Sequence, residues 1–171
     1  VAVYGFPNSN TYEDGKIDYC NDYGRTKHLA EEVYKKWYFE DPNNRMLLIV
    51  RPTVIFGEGN RGNVFNLLNQ IASRKFVMIG NGKNIKSMAY VVNVSSFLRY
   101  GLTLYSGIHV YNYSDKPDLD MNTLVHITRK KLFKKNNTGL RLPAFIGIFI
   151  GYIFDILKYV SGINLPISSI R

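Results

Sequence analysis

Tyr23 and Lys27, in the stretch "DYGRTKHLAEE", set a phenol and a primary amine four residues apart at the start of a helical pattern. On a helix, residues at this spacing share a face and their side chains meet. A phenol with its ordinary pKa of about 10 is a poor base at neutral pH, but an ammonium beside it favours the anion. Such a base can take a proton from an alcohol as hydride leaves the same carbon. The amine can also hydrogen-bond a ribose and help hold a nicotinamide cofactor, which must supply the hydride chemistry that no side chain can. The same spacing recurs at Tyr12 and Lys16, where it encloses the Glu-Asp-Gly of a turn and brings no defined geometry. With 13 tyrosines in the chain, spacing alone leaves the plain alternative open: Tyr23 packs at a helix start and Lys27 is solvated.

The elements around the pair decide how it is held. "VAVYG" reads as the end of a strand, and "FPNSNTYEDGKID", rich in Pro, Asn, Asp and Gly, as a loop. A helix is expected from Asp22, whose carboxylate can cap the first-turn amides, to a stop before Pro42. Glu31 and Glu32 stand four residues before Lys35 and Lys36, the favourable order for helix ion pairs. Apolar Leu29, Val33 and Trp37 recur every four residues, with the core as their default destination. "MLLIV" (46–50) has the unbroken apolar character of a buried parallel strand, completing a βαβ unit.

Beyond it the pattern predicts a Gly-rich loop and a helix over 64–73. Two strands, 76–79 and 87–92, are expected on either side of the turn signal "GNGKN". Helices are expected over 95–105, 122–133 and 143–160, and a strand over 109–113. The fold class is therefore α/β.

Composition narrows the partners. A chain of 171 residues, 46% apolar and 20% charged, has the makeup of an ordinary globular domain. Its start in the middle of a strand-like run reads as a chain entered midway. Net charge +9 favours an anionic partner without choosing among phosphate, nucleic acid and membrane. The densest cluster, "RKKLFKK" (129–135), suits the solvated C-terminal end of a helix. No nucleic-acid motif accompanies it, so none is expected as a partner. Single Cys20 excludes an internal disulfide and fits a reducing compartment. His28, His109 and His126 lack ligand spacing, so no metal is expected. The apolar run 144–154 falls short of the ~20 residues that cross a bilayer. Its Gly147 and Gly151 have the spacing that lets another helix approach closely.

Four blocks in order, "VYG" (3–5), "YGRTK" (23–27), "RPTVIFGEG" (51–59) and "GNGKNIKSMAYV" (80–91), together resemble the extended short-chain dehydrogenase/reductase superfamily. The likeness is to its nucleotide-sugar epimerases and dehydratases, and it covers residues 1 to 115 well and the rest loosely. It implies the C-terminal portion of a Rossmann-type parallel sheet with a small mixed α/β substrate-binding lobe. Residues 1–57 and about 86–113 would be the remnant of the dinucleotide-binding domain; about 58–85 and 114–171 would form the lobe. The N-terminal half of the cofactor site, with the Gly-rich loop on which relatives begin, is expected to be missing from this stretch.

The resemblance also implies roles. Tyr23 would be the catalytic base and Lys27 its partner, with both touching NAD, while Pro52 would lie against the nicotinamide. Asn63 and Lys86 would contact the substrate, Lys86 standing where relatives carry a diphosphate-binding arginine, and Arg171 is matched to a second such arginine. Val77 to Ile79 would lie beside the base of the nucleotide. The family's catalytic Ser or Thr would fall immediately before Val1. Dehydratases follow it with Asp-Glu, where this chain has Val1 and Ala2, so elimination is disfavoured.

The expected function is an NAD-dependent nucleotide-sugar epimerase, an isomerase that works through a transient keto-sugar in the cytoplasm as a homodimer. One alternative is a reductase or dehydrogenase of the same superfamily with net cofactor turnover. Another is a scaffold without catalysis, held near a membrane by the 143–160 helix and the 129–135 cluster. Membrane association is the lesser expectation.

Overall fold

The computed structural model describes residues 2–5 and 11–149, and the chain divides into two units, one built from 1–60 and 87–117, the other from 61–86 and 118–171. In the first, Ala2–Tyr4 forms a single 3-10 turn and the long helix α1 spans Asp22–Glu40. Strand β1 (Met46–Pro52) runs parallel to β6 (Gly107–Tyr113), in a register that sets Met46 opposite Gly107 and Pro52 opposite Tyr113. A second parallel pair joins β2 (Val54–Phe56) to β5 (Met88–Tyr90), and α3 (Val91–Gly101) follows β5 directly. Val3, Tyr4, Leu47, Ile49, Ala89 and Val94 are buried there. Phe97 of α3 packs edge-on against Tyr111, 5.3 Å between centroids, and lies 5.1 Å from Tyr113.

The second unit contains α2 (Asn63–Ala72), β3 (Met78–Ile79), β4 (Ile85–Lys86), β7 (Leu119–Asp120), α4 (Met121–Phe133) and β8 (Arg141–Leu142). Its core is the packing of α2 on α4, with Ile71 and Val125 fully buried. β3 pairs parallel with β8, while β4 pairs antiparallel with β7. These parallel ladders interleaved with helices make the fold α/β, as expected.

Several expectations are corrected. The opening apolar run is a 3-10 turn: Val3 gives its carbonyl to the Asp18 amide at 3.0 Å, and Gly5 leaves it at φ 64°, where a Cβ would stand 2.1 Å from the Asp18 carbonyl oxygen. "GNGKN" makes no hairpin, because its carbonyls are taken by the start of α4. Met121 N–H donates to Asn84 (3.1 Å), and Asn122 N–H to Gly82 (3.1 Å). Gly82, at φ 67°, leaves no room for a side chain beside Asn122. Helix α3 begins at Val91, so the expected strand ends at Tyr90 and the helix starts four residues early. Residues 144–149 are helical, and the rest of the expected 143–160 helix lies outside the described residues.

Candidate active site

α1 is started by Asn21 rather than Asp22: the Asn21 side chain accepts from Gly24 N–H at 2.9 Å, and Asp22 pairs instead with Arg25 at 3.1 Å. The next residues carry the Tyr23–Lys27 pair, and the helix brings them together, with the Lys27 ammonium 5.4 Å from the centre of the Tyr23 ring. Both side chains are exposed. Gly24 between them is buried because the helix start lies against the opening turn. A Cβ there would stand 2.5 Å from the Ala2 carbonyl oxygen and 2.8 Å from Tyr19 Cβ.

The helix face that turns inward is polar. Gly24 and Glu31 are its buried residues, whereas Leu29, Val33 and Trp37 are 49%, 64% and 41% exposed. The core is therefore not where those three apolar side chains go. Glu31, expected to pair with Lys35, points into the unit and accepts a two-pronged ion pair from Arg51: Nε to Oε1 at 2.9 Å and Nη2 to Oε2 at 2.7 Å. Glu32 takes Lys35 instead, at 2.8 Å. That bond holds the Glu32 carboxyl below its usual range.

Around Arg51 the bonding continues. Its Nη1 donates to the Tyr4 hydroxyl and to the Glu13 carbonyl (3.0 Å), and Tyr4 donates to Asn112 Oδ1 (3.1 Å). Asn112 N–H in turn donates to the Glu13 carboxylate at 2.7 Å. Glu31 and Arg51 are 8% and 7% exposed, so neither charge could stay there without the other. This network ties α1, one turn past Lys27, to β1 one residue before Pro52. Sequence reading missed it; the available signal was an acid seven residues after a helical glycine, on the same face.

Pro52 ends β1 at the carboxyl edge of the parallel β1–β6 pair, where ligands bind in sheets of this kind. Next to it, the buried Thr53 hydroxyl has no hydrogen-bond partner among the described residues. The blocks that follow are linked through Tyr90, whose hydroxyl donates to Glu58 (3.0 Å) and whose N–H donates to Asp115 (2.7 Å). Glu58 raises the Tyr90 phenol above its ordinary value, and the Tyr90 amide lowers the Asp115 carboxyl.

The remaining expected residues belong to the second unit. Asn63 is the first residue of α2 and exposed; Lys86 is exposed on β4 opposite Leu119. Met78 and Ile79 form β3. Arg171 lies outside the described residues. Among the described residues no group of His, Cys, Asp or Glu is arranged to hold a metal, and no helix is long and apolar enough to cross a membrane.

The chain is 51% identical, over 172 aligned residues spanning its whole length, to an Escherichia coli O157:H7 protein, N-acetyl-alpha-D-glucosaminyl-diphospho-ditrans,octacis-undecaprenol 4-epimerase, of which it covers 52%. Among solved structures it resembles UDP-glucuronic acid 4-epimerase from Bacillus cereus in complex with NAD (TM-score 0.68, 20% identity, 84% of this chain and 47% of that one). It is also similar to UDP-N-acetylglucosamine 4-epimerase from Methanobrevibacter ruminantium in complex with UDP-N-acetylmuramic acid (TM-score 0.62, 20% identity, 83% and 47%). The chain thus spans about half the length of these relatives. A sequence profile of the 3-beta hydroxysteroid dehydrogenase/isomerase family matches residues 6–98. By that match over more than half its length, the chain belongs to the 3-beta hydroxysteroid dehydrogenase/isomerase family, within the extended short-chain dehydrogenase/reductase superfamily.

Proposed function

We propose that these residues carry the catalytic pair and the substrate-binding part of an NAD-dependent 4-epimerase acting on a sugar joined to a diphosphate. The observation that carries this reading is the 51% identity, along the entire chain, to a protein named as such a 4-epimerase. The unit of 1–60 and 87–117 would serve the cofactor and that of 61–86 and 118–171 the substrate.

The residues fit the cofactor. Exposed Lys27 can donate to a ribose hydroxyl, Pro52 ends a parallel strand at its ligand-binding edge, and the Thr53 hydroxyl beside it has a bond to give. NAD, when bound, supplies a hydride acceptor and donor. Tyr23 takes the proton from the sugar hydroxyl while the C–H hydrogen of the same carbon leaves as hydride, so that a ketone forms. The keto-sugar turns in the pocket, hydride returns to the other face of its carbonyl carbon and the Tyr23 proton to its oxygen, inverting the carbon with no net redox change. Lys27 holds its amine 5.4 Å from the centre of the Tyr23 ring, on the same helix face. Asn63, Lys86 and Arg171 would bind the substrate, the two cations at its diphosphate.

A nucleotide-sugar is the first expected substrate. A polyprenyl-diphosphate sugar is the second, favoured by the substrate in the name of the E. coli relative. Incubating the intact protein with NAD and either UDP-N-acetylglucosamine or a short-chain polyprenyl-diphosphate N-acetylglucosamine separates them: the true substrate gives its 4-epimer. NADH that accumulates in step with product would establish the reductase or dehydrogenase instead. The exposed Leu29, Val33 and Trp37 on α1 support a homodimer built on that helix, which light scattering would test. A cytoplasmic setting suits the NAD requirement and the single exposed thiol of Cys20.

A further inference from the structure

The basic excess of the chain is confined to one unit. Residues 61–86 and 118–171 hold thirteen Lys and Arg against three Asp, while the other unit has nine basic and ten acidic residues. A sugar diphosphate needs only a few cations, so substrate binding leaves most of this charge without a use.

Within the basic unit, the stretch 129–149 has six basic residues and no acidic one. Lys130, Lys131, Lys134, Lys135 and Arg141 are exposed. Large apolar side chains stand open among them: Leu132 53%, Leu140 63%, Phe145 69%, Ile148 52% and Phe149 66% exposed. Isolated exposed apolar residues mean little, but a contiguous set does. In the helical turn 144–149, Ala144 lies beside Gly80, and added bulk at Gly147 would strike Ile79 of β3. Phe145, Ile148 and Phe149 then form an i, i+3, i+4 stripe left open.

We propose that the stretch 129–149 docks this protein on an anionic phospholipid surface, its lysines on the headgroups and its Phe145–Ile148–Phe149 stripe at the acyl boundary. Clustered lysines and arginines are attracted to acidic headgroups, and an apolar stripe beside them adds buried area at the interface. A nucleic acid would meet the charge but offers no apolar phase for the phenylalanines. No helix among the described residues is long and apolar enough to span a bilayer, and the proposed attachment is to the membrane surface. The inference goes beyond the epimerase reading and needs no turnover.

Sedimentation of the chain with lipid vesicles tests it. With phosphatidylcholine containing roughly one quarter phosphatidylglycerol the protein should pellet at low salt, and raising the salt should release it in part. With phosphatidylcholine alone it should stay in the supernatant. Replacing Lys130, Lys131, Lys134 and Lys135 by Gln should weaken binding at least about tenfold. The pair Phe145→Ser and Phe149→Ser should weaken it with no change in salt dependence. Thermal melts followed by circular dichroism check that the variants fold, and the salt titration of the unchanged chain stands without them. Full recovery in the supernatant with the anionic vesicles, or equal binding to both vesicle types, would overturn the proposal. So would displacement from the vesicles by a short DNA duplex, which would assign the stretch to nucleic acid. None of these outcomes bears on whether the protein epimerises a sugar.

Discussion

In the unit of 1–60 and 87–117, carboxylates answer the cations one by one: Glu31 with Arg51, Glu32 with Lys35, Asp22 with Arg25, Glu40 with Arg45. In the unit of 61–86 and 118–171, rings and carbonyls do that work. Arg74 and Arg129 stack on Phe133, at 5.1 and 6.0 Å, and Arg141 donates to the Asn122 side chain and the Asn81 carbonyl. The first arrangement uses charge for internal order, fixing the helix of Tyr23 and Lys27 against the strand of Pro52. The second leaves net charge for something outside the unit. One chain therefore keeps paired charge around the Tyr23–Lys27 helix in one unit and an uncompensated basic excess in the other.

The largest test of this contrast is chemical. Tyr23→Phe in the intact protein should lower turnover about 10²- to 10⁴-fold, the usual worth of a general base, with the melting temperature unchanged because the side chain is 63% exposed. A parallel loss of stability would move Tyr23 from chemistry to packing. Next is the buried ion pair. Arg51→Met or Glu31→Gln alone should cost about 3–5 kcal/mol in urea unfolding, since each strands a buried charge or its bonding partners. The double change Glu31→Leu with Arg51→Met should recover much of that. Additive losses in the double variant would show that the pair does not act as one.

Acid should separate the carboxylates by partner. Asp115 is held below the ordinary aspartate range by the Tyr90 amide, with Asn93 and Tyr113 adding to the effect. Its contribution is therefore present above about pH 4, the unfolded value, and lost as pH falls through the lowered folded value. Asp115→Asn should flatten that part of a stability-against-pH curve. Asp120, lowered by Thr123, behaves with the same sign at the start of α4. The smallest effect should be Asp120→Ala, which removes the cap bond to Thr123 N–H (2.7 Å) and should lower the thermal midpoint slightly.

What the sequence disclosed follows from the range of the interactions involved. α1, β1, β6 and α4 were legible because local periodicity and turn residues determine them, and so was the helical setting of Tyr23 and Lys27. The turn signal at "GNGKN" was correct, but its carbonyls are claimed by the start of α4, some forty residues on, and the strands on either side pair elsewhere. The start of α3 was hidden in "MAYVVNV", where β-branched residues read as strand. The inward face of α1 was misread for a related reason. Apolar Leu29, Val33 and Trp37 advertised a core face, while the face that packs carries Gly24 and Glu31, whose partner Arg51 is twenty residues away. The Tyr4 to Asn112 bond spans 108 residues, beyond any local pattern. The proposed substrate contacts Asn63 and Lys86 were reached by resemblance alone, since an exposed asparagine and an exposed lysine carry no pattern of their own.

The central claim is that a hydride leaves one sugar carbon while a proton leaves its hydroxyl oxygen, and that the hydride returns to that same carbon. Substrate deuterated at carbon 4, incubated with the intact protein and NAD, tests this directly by mass spectrometry and NMR of the product. The account predicts a 4-epimer that keeps its deuterium, with no NADH accumulating. Loss of the label to solvent, or NADH formed in step with product, would contradict it.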